Sequence, residues 1–185
     1  MKLSNRRGYT LMELVIAILI VGILASFAVP QYLRTIEGGK YDDAVALVNQ
    51  IGMTNRMFAL DHSGVYVAGQ FLGNSCGCTS TTCSNYAVPA SPGPFGTPCA
   101  LVCCNYLGDQ DWSAKPYDFY ACDPASNGGG GPCATPTNPI SGATRVTSGA
   151  NGTTISPYKT WGVYMNTTGT ISNVTGATNP PNPTY

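Results

Sequence analysis

The chain has 185 residues, enough for one globular domain with an appendage. Charged residues make up only 10% of it, against about 25% in an average soluble domain, and Gly, Pro, Ser, Thr and Asn crowd the part after residue 70. That composition argues against a cytosolic enzyme, and a net charge of zero gives nucleic-acid binding no electrostatic footprint.

The charge is unevenly placed. Lys2, Arg6 and Arg7 fall in the first eight residues, and without them six basic side chains face nine acidic ones, a net of −3. After Asp123 there is no acid, and the basic residues there are Arg145 and Lys159. The start reads MKLSNRRG, short, polar and basic. From Tyr9 to Leu33 the chain is apolar, with Glu13 as its one charged residue. A helix of that length is roughly 37 Å long, enough to cross a ~30 Å hydrocarbon layer. The basic leader marks the cytoplasmic side, so the remainder lies outside. An ordinary signal peptide has a shorter apolar stretch with its processing site after it; here the stretch is long and Arg-Arg-Gly precedes it. A plain membrane anchor leaves Glu13 unexplained, because an acid there costs about 2.5–3.5 kcal/mol and demands a partner.

The run Gly8-Tyr9-Thr10-Leu11-Met12-Glu13-Leu14 resembles the class III signal of type IV prepilins and pseudopilins, and Gly22, Pro30 and Tyr32 also fall at positions typical of these proteins. Tyr9 stands where the family usually has Phe. The resemblance covers residues 1 to about 37 in detail. It implies a leader peptide over residues 1–8, cleaved between Gly8 and Tyr9 by a prepilin peptidase that also N-methylates Tyr9. It implies that the Glu13 carboxylate meets the Tyr9 amine of a neighbouring subunit during assembly. The physics agrees: an unpaired carboxylate in a low-dielectric core is costly, and a paired one specifies register. Gly22 and Pro30 loosen a helix, and in filaments of the family the stretch between them can lose helical structure, so a bend or melt is expected there.

From residue 34 to about 62 the pattern becomes amphipathic, with Ala44, Leu47, Val48, Ile51 and Phe58 at helical spacing. This half is expected to lay its apolar stripe on a sheet. Gly38-Gly39 costs about 2 kcal/mol of helix propensity, which predicts a bend or break there. His62, the single histidine, sits at the helix exit and suits capping better than metal ligation or catalysis.

Residues 63–185 then form a disulfide-rich head. Residues 64–75 read as a connecting loop or irregular strand. All eight cysteines follow between them and residue 133: Cys76, Cys78, Cys83, Cys99, Cys103, Cys104, Cys122 and Cys133. An even count in a Gly/Pro-rich, exported segment favours disulfides over metal, and zinc-type Cys-x2–4-Cys pairs are not matched. Eight cysteines allow 105 pairings and the sequence does not choose among them. The favoured pair is Cys122 with Cys133, closing a Gly-rich loop and contributing about 3 kcal/mol. Such a loop is similar to the disulfide-bounded C-terminal loop of many pilins, although this chain runs well past Cys133. Cys103 and Cys104 are expected to bond elsewhere rather than to each other. The stretch CALVCCNYLG suits a brief helix pinned by bridges. Near the end TWGVYMNTTGTISNV puts Trp161, Val163 and Met165 on one face and turns through Asn166–Gly169, a hairpin. PPNPTY reads as a surface tail.

No catalytic constellation emerges. Asp109, Asp111, Asp118 and Asp123 follow no EF-hand spacing, GGGG at 128–131 is a loop, and one histidine supports no triad. No metal and no cofactor are expected. The Asn-x-Thr sequons at Asn151, Asn166 and Asn173 are weak hints of glycosylation.

The resemblance implies an α+β type IV pilin fold, a long N-terminal α-helix over residues 9–62 packed on a small antiparallel β-sheet with disulfide-rich loops. Residues 9–33 would be the transmembrane and later filament-core part. The expected function is a structural subunit of a type IV pilus, polymerising through its helix into a surface filament for adhesion, twitching motility or DNA uptake. The implied partners are other copies of the chain, the peptidase/methyltransferase and the pilus assembly platform. The implied location is the inner membrane before assembly and the extracellular pilus afterwards. One alternative is a pseudopilin of a type II secretion system; major pseudopilins typically carry a calcium site built by acids near the C-terminus, which this chain lacks after Asp123. A second is a membrane-anchored cysteine-rich binding module.

Overall fold

The structure, a computed structural model, describes residues 10–78, 97–126, 130–134 and 138–181. Gly8, Tyr9 and Cys83 therefore lie outside the described residues. The first element, α1, runs from Leu11 to Asp61 as one α-helix with Pro30 inside it. The break expected at Gly38-Gly39 is absent, since both residues are helical. Each further residue in a formed helix adds a backbone hydrogen bond, and that cooperativity outweighs the low propensity of two glycines. The helix ends in a Schellman-type turn: Ser63 takes φ 56° and the Gly64 N–H donates to the Ala59 carbonyl at 2.7 Å. His62 caps the same end as expected, with Nδ1 2.8 Å from the Phe58 carbonyl and its ring stacked on Phe58 at 3.9 Å.

The chain divides into two compact units, residues up to Gly39 and residues from Lys40 onward. In the second, α1 packs on a five-stranded antiparallel sheet. The strands are β1 (Gly69–Gln70), β2 (Tyr117–Ala121), β3 (Pro139–Arg145), β4 (Gly162–Asn166) and β5 (Ile171–Asn173). They lie in the order β1-β2-β3-β4-β5, so the described sheet is an antiparallel meander. The β4–β5 hairpin is the expected one, with Met165 opposite Ile171 and Val163 opposite Asn173. Its turn is organised by Asn166, whose Oδ1 accepts from Thr168 N, Thr168 Oγ1 and Thr170 N, while Gly169 supplies φ 85°.

The buried stripe of α1 consists of Tyr41, Ala44, Val45, Val48, Ile51 and Phe58, the i, i+3/i+4 spacing of one helix face. It meets Phe119, Ile140, Val163 and Met165 from the sheet and Leu101 from α2 (Cys99–Cys103). Helix and sheet approach closely at Gly52, where an added Cβ would come within 2.7 Å of both Met165 Sδ and Ser141 Oγ. Ser141 uses that proximity to donate to the Val48 carbonyl at 2.7 Å. Asn55 is fully buried on the same face and joins four backbone groups. Its Nδ2 donates to the carbonyls of Val67 (3.1 Å), Cys122 (3.1 Å) and Ile140 (2.9 Å), and its Oδ1 accepts from Val67 N at 2.9 Å.

Three disulfides lie wholly within the described residues: Cys76–Cys99, Cys78–Cys103 and Cys122–Cys133. The first two pin both ends of α2, and the third is the pair favoured from sequence. Cys104 is also disulfide-bonded, and no described cysteine is free. Beyond β5, the Thr178 carbonyl accepts from Trp161 Nε1 at 3.0 Å and the Pro181 carbonyl from Asn173 Nδ2 at 3.3 Å, which gives the buried Trp161 donor its acceptor.

Candidate functional site

The N-terminal part of α1 is where the chemistry expected from sequence concentrates. From Leu11 to Ile36 every side chain is exposed, including Leu11 (81%), Met12 (72%) and Leu24 (63%). By length and composition this helix can cross a membrane. Exposed apolar surface on that scale requires lipid or protein around it.

At its start stands Glu13, and its geometry adds a partner that the motif reading did not name. Glu13 Oε2 accepts the backbone N–H of Thr10 at 2.8 Å and the Thr10 hydroxyl at 3.0 Å. In return Thr10 Oγ1 accepts the Glu13 N–H at 3.2 Å. This is a reciprocal capping box, satisfying two of the amide donors that a helix start leaves unpaired. The Thr-x-x-Glu spacing announces it in the sequence, where Thr10 served only as part of a family signature.

Among the described residues none comes within 4 Å of where a Cβ on Gly22 would stand. Pro30 lacks the N–H that would bond the Ser26 carbonyl, and the Ser26 hydroxyl turns back to the Ile23 carbonyl at 2.7 Å. Gly22, Ser26 and Pro30 thus fall four residues apart along one stretch of α1, and Ser26 is a residue not singled out from sequence.

In the head, Asp118 lies within β2, whereas the carboxylates of Asp109, Asp111 and Asp123 organise loops. Asp109 accepts from Cys76 N and Gln110 N, Asp111 from Ser113 Oγ (2.6 Å) and Ala114 N, and Asp123 from Ser126 Oγ (2.5 Å) and Ala125 N. The Ser113 hydroxyl holds the Asp111 carboxyl below the usual carboxylate range. Among the described residues no His, Cys, Asp and Glu side chains gather into a metal-binding group. Tyr106 donates to Asp61 Oδ2 at 2.6 Å, and that bond pushes its phenol above the ordinary value. Burial does the same to Tyr120. Arg145, buried at the end of β3, lies over the Tyr117 ring and donates to the carbonyls of Pro116, Val146 and Asn151, clamping the loop after β3. These interactions hold the head together.

A family model described as "Prokaryotic N-terminal methylation motif" matches residues 3–29. The chain carries that motif. It is pilin-like or pseudopilin-like in this segment, with the long helix on an antiparallel sheet and loop disulfides described above. Over 64 residues it is 38% identical to the type II secretion system core protein G of Vibrio cholerae serotype O1 (strain ATCC 39315 / El Tor Inaba N16961), covering 34% of this chain and 42% of that protein. The chain therefore spans less than half the length of the curated relative it matches. No solved structure matches.

Proposed function

We propose that the chain is the subunit of a helical homopolymer, held in the inner membrane by residues 9–33 and then transferred into a filament core. The observation that carries this reading is the exposed apolar helix Leu11–Ile36 with a single acid near its start. A membrane-spanning anchor needs no such acid, whereas an assembling one uses it to choose its neighbour. Cleavage after Gly8 by a prepilin peptidase and methylation at Tyr9 would create a cationic amine. The Glu13 carboxylate of an adjacent copy would receive it. The stretch between Gly22 and Pro30 is where the helix would bend or unwind as subunits pack.

A type IV pilus on the cell surface is the first reading of that polymer, because a low-charge head stapled by disulfides suits a repeated outer coat. A type II secretion pseudopilus is the second, favoured by the similarity to the Vibrio cholerae core protein G. Electron microscopy of sheared surface filaments, with mass spectrometry of their subunit, separates the two. Long filaments built from this chain, beginning at a methylated Tyr9, support the pilus. The same mature N-terminus in cells without surface filaments, but with secretion that fails when the chain is deleted, supports the pseudopilus. A chain still starting at Met1 and dispersed as a monomer leaves only a membrane-anchored binding module.

A further inference from the structure

We propose that Asn151 is the residue at which this chain accepts an N-linked oligosaccharide. Three Asn-x-Thr sequons occur, at Asn151, Asn166 and Asn173, and the fold treats them differently. Asn173 lies in β5, where its Nδ2 donates to the Pro181 carbonyl at 3.3 Å and its Oδ1 accepts from the Tyr41 hydroxyl. Asn166 organises the β4–β5 turn: its Oδ1 accepts from Thr168 N, Thr168 Oγ1 and Thr170 N, so the hydroxyl of its own sequon is turned back on it. Asn151 stands apart. It is exposed in the loop after β3, in a turn where Gly152 N donates to the Gly149 carbonyl at 3.3 Å. Its backbone is held, since Arg145 Nη1 donates to its carbonyl at 2.7 Å and a Cβ on Gly152 would come within 2.5 Å of Ser148. Its carboxamide is not, because among the described residues no hydrogen bond engages it. Thr153 completes the sequon, its hydroxyl accepting from Ile155 N at 3.3 Å and keeping its own proton to donate. A fixed surface turn carrying a free amide beside that hydroxyl is what an N-linked acceptor needs. The donor is an oligosaccharide linked to a polyprenyl diphosphate. Asn151 Nδ2 bonds to the anomeric carbon, that carbon's bond to the diphosphate oxygen breaks, polyprenyl diphosphate leaves, and one amide proton passes to the transferase. The inference needs only that the head lies outside the cytoplasm, where its disulfides belong, and it does not depend on polymerisation.

The test makes the full-length chain in cells that export it and carry an oligosaccharyltransferase with that donor, beside an exported control protein bearing a surface sequon. Peptide mass spectrometry then reads occupancy at each asparagine. Freeing Asn166 or Asn173 breaks at least two hydrogen bonds, so occupancy at Asn151 should exceed theirs by about tenfold or more. Asn151→Gln and Thr153→Ala should each abolish the addition at this site, whereas Thr153→Ser should retain it. Asn151→Gln keeps the Arg145 contact, which uses the backbone carbonyl, and circular dichroism checks that the variant is folded. Short peptides carrying the three sequons lack the fold and should be modified to comparable extents. Equal occupancy at all three sites in the folded chain, or a bare Asn151 beside a glycosylated control, overturns the proposal. So does a preference for Asn151 that the peptides reproduce, since the local sequence and not the fold would then be choosing.

Discussion

At the residue scale Asn55 carries an outsized share of the head's integrity. Its side chain is the meeting point of α1, the segment after it, Cys122 and β3, through four hydrogen bonds in a site closed to water. Asn55→Ala removes all four at once and leaves buried backbone groups unpaired, so the head should lose about 3 kcal/mol or more in urea unfolding followed by circular dichroism. Asn55→Asp should be worse still, because a carboxylate would face three carbonyl oxygens where the amide now donates. A polar residue on the stripe of Val48, Ile51 and Phe58 is the sequence signal for such a hub, but its partners lie up to 85 positions away and no local pattern names them. Tyr106 supplies a second check at this scale. Its phenol is raised by the bond to Asp61, so the stability it contributes is present below the ordinary phenol range and is lost as pH rises through the raised value. In a Tyr 13Cζ NMR titration, Asp61→Asn should bring Tyr106 back toward the ordinary value.

Among the elements, α1 shows how context decides what a glycine does. Gly38 and Gly39 have nothing within 4 Å of a built Cβ, so Gly38→Ala and Gly39→Ala should each stabilise the helix by about 1 kcal/mol. Gly52 has the opposite surroundings, with Met165 and Ser141 in the way, and Gly52→Ala should cost about 1–3 kcal/mol despite its better helix propensity. Thermal denaturation of the three variants reads both signs in one series. The helix and the β4–β5 hairpin were legible in the sequence because each has a strong period, 3.6 around Val48 and Ile51, and 2 along Val163 and Met165. Strands β2 and β3 were not. β3 reads PISGATR, small and polar, because Ser141 lies under the helix at Gly52, and Gly142 lies against Pro132, where a Cβ would come within 2.6 Å. Close packing removed the apolar alternation that announces a strand. The capping box at Thr10 was legible as a spacing, yet its meaning needed the geometry of Glu13.

For the whole molecule, the disulfides and the exposed helix answer two different environments. Cys122–Cys133 is fully buried and ties the residue after β2 to the turn before β3, so replacing both cysteines with serine should lower the head's stability by about 3 kcal/mol. Midpoints of denaturant unfolding under non-reducing conditions check it. The described head is covalently stapled, whereas the helix between Leu11 and Ile36 leaves its apolar side chains exposed. In the proposed assembly, Glu13 turns that helix from an anchor into a polymerising element. The most direct test of that role is Glu13→Ala in cells that make the complete assembly machinery, scoring membrane fractionation and filament yield together. The account predicts normal membrane insertion with filaments lost. Filaments at wild-type yield from the Glu13→Ala chain would contradict it.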